Sequence, residues 1–399
     1  MRITQVELIP VAFPDPPLRN SWGVHASFAL RTILRLHSEE GLVGLSETYG
    51  GEGMLLALGQ AKAQVVGADP YDLNRLRLLI RDPRVFGAIE VACLDLIGRA
   101  SGQPLYHLLG GRVRDRVDFS AYLFFKYAGD GSTSLTTGDL WGEVLTPEAM
   151  VELARWFVAE HGFRALKVKG GVLPPQQEVE TMRLLRDAFP DHDLRIDPNA
   201  AWSAETSVRF IGETRELGLE YVEDPTWGIA GMAAVRQRVD VPLSTNMCVT
   251  AFEDIAPAIH SRAVDIILLD HHTWGGLRAS QELAAICRAF GLGLSMHSNS
   301  HLGVSLAAMV HLAASTPNLL HACDTHYPWL EEDVLVGGKL QFVNGELAVP
   351  EGPGLGVDLD EEKLRVLVEN YRRVHERERD DAAEMRRREH DWLPLRPRW

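Results

Sequence analysis

The chain has 399 residues, of which 46% are hydrophobic, enough for a barrel-sized domain with a second, smaller unit and a large core. Its formal net charge of -15 excludes nucleic-acid backbones and anionic membranes as expected partners, because both are bound by clustered Lys and Arg. An anionic small molecule stays possible, since a metal ion and local lysines can reverse the field in one pocket.

The four cysteines are far apart and show no CxxC spacing, which favours reduced thiols in the core. No stretch approaches the roughly 18 apolar residues that a membrane span needs. We therefore expect a cytoplasmic protein.

Residues 1–115 are expected to form an α+β capping domain. Apolar and polar residues alternate over 3–11, 31–37 and 42–47, which predicts a small antiparallel meander, and helical patterns follow. The loop 14–28 between the first two strands carries His25. Long loops inside compact lobes are often functional, although an ordinary surface histidine is an equal alternative.

Residues 116–338 show the pattern of a (β/α) barrel of the TIM type. Val117 to Phe125 is the first predicted strand, and the polar stretch 129–145 after it predicts a surface insertion. Thr146-Pro147-Glu148 then predicts the start of a helix. Further apolar runs end in polar residues spaced 23 to 30 residues apart, which fits one strand, one helix and two short loops per unit. The run 318–324 is expected to be a late strand of the same barrel.

Residues 339–399 lie outside the barrel pattern. An Asn344-Gly345 pair predicts a hairpin, and we expect this C-terminal segment to return to the capping domain and complete it. The tail from Tyr371 contains nine arginines against seven acidic residues, which predicts a solvated helix.

The strand ends carry the chemistry, because the C-terminal ends of all strands in such a barrel meet at one face. Lys167 and Lys169 are two residues apart on one strand, so their side chains share a face. Two ammonium groups held close disfavour each other's charge, which makes one of them a candidate base. The alternative is a pair of surface lysines on an edge strand.

Three successive strands then end in the hard oxygen ligands Asp197, Glu223 and Asn246. Carboxylate and amide oxygens from several strands predict a Mg²⁺ site with positions left for water or substrate. The alternative is that each residue is only a helix N-cap.

Asp270 and His297 end the next two predicted strands. A carboxylate bonded to one ring nitrogen fixes the tautomer of an imidazole and raises its basicity, so this pair is a candidate acid/base opposite the lysines. His271, His272 and His301 remain rivals at this stage. Bases on two sides of a metal favour removal of a proton α to a carboxylate, and a hydroxyl on the next carbon would allow loss of water.

These motifs resemble the enolase superfamily in its mandelate racemase-like branch. The stretches Lys167-Val168-Lys169, Asp197-Pro198-Asn199 and Glu223-Asp224-Pro225, together with Asn246, carry the likeness. Further motifs are similar to glucarate dehydratases over nearly the whole chain: His25-Ala26-Ser27-Phe28, Ser244-Thr245-Asn246-Met247, His297-Ser298-Asn299-Ser300-His301 and Asp324-Thr325-His326. Ser300 departs from the second asparagine expected there.

The resemblance implies Mg²⁺ on Asp197, Glu223 and Asn246. It implies Lys169 as base on one face, His297 oriented by Asp270 on the other, and Lys167 as the group that neutralises the substrate carboxylate. It also implies a set of substrate contacts: His25, Tyr122, Asn199, Ser298, Asn299, His326 and Arg379.

The expected reaction is dehydration of an acid sugar, D-glucarate first, to a 2-keto-3-deoxy acid such as 5-dehydro-4-deoxy-D-glucarate. An epimerase or racemase, or a dehydratase of another acid sugar, is an alternative on the same site. A non-catalytic metal-binding barrel is a more remote one. A homo-oligomer is expected.

Overall fold

The computed structural model describes residues 1–129 and 139–399. Part of the predicted insertion, residues 130–138, lies outside the described residues.

The N-terminal lobe is a three-stranded antiparallel sheet followed by helices, as expected. The elements are β1 (Ile3–Pro14), β2 (Arg19–Asn20), β3 (Gly23–Val24), β4 (Phe28–Ser38), β5 (Val43–Tyr49), α1 (Glu52–Val65), α2 (Leu73–Leu79), α3 (Pro83–Ser101) and α4 (Leu105–Leu108). The sheet order is β1–β4–β5, and the short hairpin β2–β3 lies in the loop that carries His25. Helix α3 is buried along most of its length and packs against β5.

A nearly closed barrel of eight parallel strands follows, which confirms the predicted fold class. Its strands are β6 (Arg116–Phe124), β7 (Ala165–Lys169), β8 (Asp193–Asp197), β9 (Tyr221–Glu223), β10 (Leu243–Thr245), β11 (Ile266–Leu269), β12 (Gly293–Met296) and β13 (Cys323–Thr325). The strand order is β12–β11–β10–β9–β8–β7–β6–β13, and β13 lies beside β12. The helices are α5 (Pro147–His161), α6 (Pro175–Ala188), α7 (Ala204–Glu213), α8 (Gly228–Arg236), α9 (Phe252–Ser261), α10 (His271–Trp274), α11 (Leu277–Phe290) and α12 (Gly303–Ala314).

Two local predictions for the barrel can be compared with the structure. The helix start at Thr146 is confirmed, and the strand over 318–324 is confirmed only in part. The Thr146 hydroxyl accepts a hydrogen bond from the Ala149 amide, and α5 begins at Pro147. The strand predicted over 318–324 is shorter, because residues 316–319 form a turn after α12 and pairing with β6 begins at Cys323.

The C-terminal segment contains β14 (Glu346–Ala348), α13 (Glu361–Arg373) and α14 (Asp381–Arg388). β14 pairs with β6, α13 packs on β1 and α14 packs on β3. The prediction of one solvated helix from Tyr371 was wrong. The tail is interrupted after α13, and Met385 and Trp392 are buried against Val24 because the tail covers the β2–β3 hairpin.

Among the described residues, no helix has the length and apolar content required to cross a bilayer.

Candidate active site

Strand β7 brings both lysines to the interior of the barrel. All five of its residues are buried, and Lys169 lies in register with Asp197 on β8. The Lys169 ammonium donates a hydrogen bond to Asp197 Oδ2 at 2.5 Å. Lys169 also lines the central cavity, whereas Lys167 does not. The alternative of surface lysines on an edge strand is therefore wrong.

Lys167 is fully buried among carboxylates. Its Nζ lies 2.5 Å from Asp324 Oδ2, 2.5 Å from Glu223 Oε2 and 3.8 Å from Asp197 Oδ2. Burial alone would lower the pKa of Lys167, but Asp324 and Glu223 hold it well above its usual value.

The three expected metal ligands lie at the ends of β8, β9 and β10. Glu223 Oε1 and Asn246 Oδ1 are buried and accept no hydrogen bond from the described residues, while Glu223 Oε2 lies against Lys167 Nζ. Burial raises the pKa of Glu223 well above its usual value, while Lys169 and Lys167 lower that of Asp197 against its own burial. Buried oxygen atoms without donors fit a hard cation such as Mg²⁺, so the residues present suit the expected metal.

The backbone that follows β8 and β9 is strained, and this strain orients the expected metal ligands. Asn199 and Asp224 have positive φ values of 55° and 37°. The Asn199 amide donates to Asp197 Oδ1 at 2.8 Å, and the Asp224 carboxylate accepts from the amides of Asn246 and Met247 at 2.8 and 3.1 Å. Such strain persists only where neighbouring contacts enforce it, and here those contacts fix the ligand-bearing turns.

Asp270 and His297 form the other side of the site, at the ends of β11 and β12. His297 Nδ1 lies 3.4 Å from Asp270 Oδ2, and the ring of His297 lines the cavity. The bonded histidines hold the pKa of Asp270 well below its usual value despite its burial. The carboxylate therefore stays charged, as an orienting partner of a catalytic imidazole should.

The rival histidines do not line this cavity. Burial lowers the pKa of His271 well below its usual value and that of His301 to about 3. His272 turns away from the cavity, with Nδ1 at 2.7 Å from Asp270 Oδ1 and Nε2 at 3.1 Å from Arg31 Nη2.

The central cavity has a volume of about 420 Å³ and is polar on several sides. Most of the residues expected to contact substrate line it: His25, Tyr122, Asn199, Asn299, His326 and Arg379. Ser298 does not; its hydroxyl accepts from the His326 amide at 3.1 Å and so supports His326. His25 stacks on His326 with ring centroids 5.9 Å apart, and its Nδ1 lies 3.0 Å from Asp15 Oδ2.

Sequence reasoning did not assign several residues that hold the site. Asp324 binds Lys167, and Asp381 binds Arg379 through two hydrogen bonds of 2.7 Å. Tyr49 donates to Asp270 Oδ2 at 2.7 Å. Asp324 stood in a motif already quoted for its likeness to a family, and Asp381 lies two residues after Arg379, which the resemblance had named. Both positions were usable signals, whereas Tyr49 had none.

A barrel with a capping lobe and with these polar residues at the ends of its strands is typical of metal-dependent α/β-barrel enzymes. The model for the enolase C-terminal domain-like family matches residues 149–363, which is more than half of the chain. The chain belongs to the enolase superfamily, and members of this superfamily bind Mg²⁺.

Individual relatives extend this likeness over the whole chain. The probable glucarate dehydratase of Streptomyces coelicolor is 45% identical, with 100% of this chain and 99% of that protein covered. The crystal structure of an enolase from Thermobispora bispora, complexed with magnesium and formate, is 48% identical with a TM-score of 0.97 and full coverage of both chains. A Pseudomonas fluorescens enolase with bound magnesium, potassium and tartrate is 45% identical with a TM-score of 0.96, covering 100% of this chain and 99% of that chain.

Proposed function

We propose that this protein is a Mg²⁺-dependent dehydratase of an acid sugar, with D-glucarate as the first candidate substrate. The observation that carries the proposal is the pairing of Lys169 and His297 in one cavity, on β7 and β12. On the strands between them, Glu223 Oε1 and Asn246 Oδ1 accept no hydrogen bond from the described residues. The likeness to a probable glucarate dehydratase over the full chain supports the choice of substrate.

Asp197, Glu223 and Asn246 would hold the metal. When bound there, Mg²⁺ would stabilise the negative charge that develops on the substrate carboxylate as its α proton leaves. The burial of Glu223 Oε1 without a donor among the described residues supports this role, because a cation would offset the cost of burying the carboxylate charge.

The side chains of the chain itself would move the protons. His297, oriented by Asp270, or Lys169 takes the α proton, and the electron pair left on carbon moves into the carboxylate to give an enediolate. That pair then expels the β-hydroxyl, which leaves as water after it receives a proton from an acid in the cavity. The resulting enol takes up a proton on carbon and becomes a 2-keto-3-deoxy acid.

A second carboxylate on the substrate would meet Arg379, which lines the cavity together with His25 and His326. Nε and Nη2 of Arg379 bind Asp381 in a fork, so a substrate carboxylate would use the remaining N–H groups of the guanidinium. The tartrate bound to the relative from Pseudomonas fluorescens is itself a hydroxy diacid.

The direct experiment is incubation of the protein with Mg²⁺ and D-glucarate in D₂O, followed by NMR. We expect a keto acid that carries deuterium, and we expect its formation to stop when the metal is chelated. Absence of keto acid from D-glucarate and from a panel of other acid sugars would contradict the proposal.

An epimerase or racemase is the second candidate, and the presence of a base on each side of the cavity is the observation that favours it. Such an enzyme removes the α proton with one base and returns a proton with the other, so water is not lost. Deuterium exchange without keto-acid formation in the same NMR experiment would support it.

We further propose a cytoplasmic homo-oligomer that binds neither nucleic acid nor membrane. All four cysteines are free, which agrees with a reducing compartment. Light scattering on the purified protein tests the assembly.

A further inference from the structure

Asp270 divides its two carboxylate oxygens between different partners. Oδ1 accepts hydrogen bonds from the backbone amide of His272 at 2.9 Å and from its Nδ1 at 2.7 Å. Oδ2 accepts from the Tyr49 hydroxyl at 2.7 Å and lies 3.4 Å from His297 Nδ1. The oxygen that faces the candidate acid/base is therefore shared with a residue of the capping lobe.

Contacts at Nε2, the other ring nitrogen, fix the tautomer of His272. Arg31 Nη2 lies 3.1 Å from His272 Nε2, and the Arg31 guanidinium is paired with Glu47 at 2.8 Å. Ser305 Oγ also lies 2.8 Å from Nε2. A guanidinium can only donate, so Nε2 accepts and the ring hydrogen is on Nδ1, directed at Asp270. His272 therefore occupies Asp270 Oδ1, which leaves Oδ2 to Tyr49 and His297.

The hydroxyl of Tyr49 also has a fixed direction. The side-chain amide of Asn299 donates to the Tyr49 oxygen at 3.0 Å. The Tyr49 hydroxyl accepts this bond and donates its own hydrogen to Asp270. The guanidinium of Arg31 stacks over the Tyr49 ring with Cζ 5.0 Å from its centroid, which holds the ring in place. Burial and the neighbouring Asp270 carboxylate raise the pKa of Tyr49 well above its usual value, so it stays a donor.

We propose that Tyr49 is a positioning residue of the capping lobe that sets how much negative charge Asp270 presents to His297. This inference rests on the proposed function only in treating His297 as the acid/base. A hydroxyl that donates to Oδ2 competes with His297 for that oxygen and weakens its attraction for an imidazolium. Asn299 lines the cavity, so the chain of hydrogen bonds from Asn299 through Tyr49 also joins the substrate position to the Asp270–His297 pair.

The variant Tyr49→Phe removes the hydroxyl and keeps the ring. Asp270 then attracts a proton on His297 more strongly, so we expect the acid limb of the pH–rate profile to move to higher pH by about one unit. We expect kcat near neutral pH to fall roughly tenfold with KM changed by less than about twofold, because Tyr49 does not line the central cavity.

Tyr327→Phe is the matched control. The Tyr327 hydroxyl also accepts from an amide, that of Leu340, and donates to a buried carboxylate, that of Asp333. It makes no hydrogen bond to Asp270. We expect this variant to lose stability while its pH–rate profile keeps the wild-type midpoint.

NMR titration of the His297 ring in protein labelled at histidine separates this inference from the proposed function, because it needs no turnover. Other titratable or charged groups around the cavity are unchanged by the variant: Lys169, His25, His326, Arg379, Asp380 and Asp381. A His297 midpoint that moves to higher pH in Tyr49→Phe alone supports the inference even if no acid sugar is a substrate. An unchanged midpoint, or an equal movement in Tyr327→Phe, would overturn it even if the enzyme dehydrates glucarate.

Discussion

The two sides of the active site are built in different ways. The ion pairs of the lysine side lie within the barrel: Lys169 binds Asp197 of the adjacent strand, and Lys167 binds Asp324 across β6. The histidine side depends on the capping lobe. Tyr49 reaches Asp270, and Glu47 accepts from the amides of Leu302 and Ser305 at 2.9 Å each, next to the stretch that carries His297.

This difference shows that one of the two proposed catalytic groups, Lys169, is positioned by strand register, whereas contacts between the two lobes position the other, His297. Strand register is determined by many backbone hydrogen bonds and is hard to disturb locally. Docking depends on a few buried polar contacts whose loss is costly. Changes at the lobe contact should therefore affect the histidine side more than the lysine side, while loss of the metal should affect both.

The largest effect is expected from removal of the proposed Mg²⁺, because it would serve both sides of the site. Chelation should reduce turnover and deuterium exchange to background and restore both when Mg²⁺ is added back. Asn246→Leu removes an oxygen that has no other partner, so it should abolish Mg²⁺ binding in calorimetry. In wild type, Mg²⁺ at a hundred times its Kd should stabilise the fold by about 2.7 kcal/mol.

The matched control is Asn370→Leu on α13, which should keep both the binding and the stabilisation. Undiminished Mg²⁺ affinity in Asn246→Leu would contradict the assigned ligand set.

The next effect isolates the histidine side. Asp270→Asn removes the charge that orients His297, and we expect kcat to fall by roughly 10²–10⁴-fold, the usual range for loss of acid–base catalysis. Asp333→Asn is the control, since Asp333 is also a buried carboxylate that accepts from a tyrosine and from backbone amides. Steady-state kinetics and circular dichroism on both variants check this, and an equal loss of kcat in the control would show that the effect is only structural.

Each side also contains a buried glutamate whose raised pKa should make the free energy of unfolding depend on pH. Glu90 of α3 accepts from the Leu277 amide at 2.6 Å and ties the capping lobe to α11, while Glu178 accepts from Gly171, Val172 and Leu173 after β7. Burial raises the pKa of each from 4.5 to about 7.

The folded state therefore binds more protons than the unfolded state between pH 4.5 and 7, and the free energy of unfolding falls as pH rises through this window. Each group accounts for a fall of about 3 kcal/mol. We expect Glu90→Gln and Glu178→Gln each to flatten the pH dependence in urea titrations, with Glu369→Gln on the surface as control. A slope that stays as steep as in wild type would contradict the assignment.

The smallest effect is a local one on the lysine side. Thr146→Ala removes the cap of α5, the helix before β7, and should lower the free energy of unfolding by about 1 kcal/mol. Thr146→Ser keeps the hydroxyl and should keep the stability. Because strand register fixes Lys169, both variants should retain wild-type kinetics, and a fall in kcat for the alanine variant alone would show that the lysine side is less independent than its contacts indicate.

The sequence predicted the strand-end residues well for a physical reason. In a barrel, the fold itself brings Lys169, Asp197, Glu223 and His297 to one face, so recognising the repeat is enough to expect that they meet. Their individual roles remain predictions. Tyr49 could not be found this way: it lies 221 residues from Asp270 and ends an ordinary alternating strand.

The C-terminal tail shows the same limit. Its charge pattern predicts a helix in solvent, but Met385 and Trp392 are buried against the β2–β3 hairpin. Local periodicity does not encode which distant surface an apolar residue will cover. Docking between lobes and tails therefore had to be seen in the structure.

The central claim is that the cavity holds two bases, Lys169 and His297, which are positioned independently of each other. Its most direct test is exchange of the substrate α proton for deuterium in D₂O, measured by NMR for two diacids that are epimers at the α carbon. Each epimer presents its proton to one side of the cavity. We expect Lys169→Ala to retain exchange with one epimer only, and His297→Asn to retain it with the other only, while both variants stay folded and lose net turnover. Loss of exchange with both epimers in each variant, or retention with both, would contradict the account.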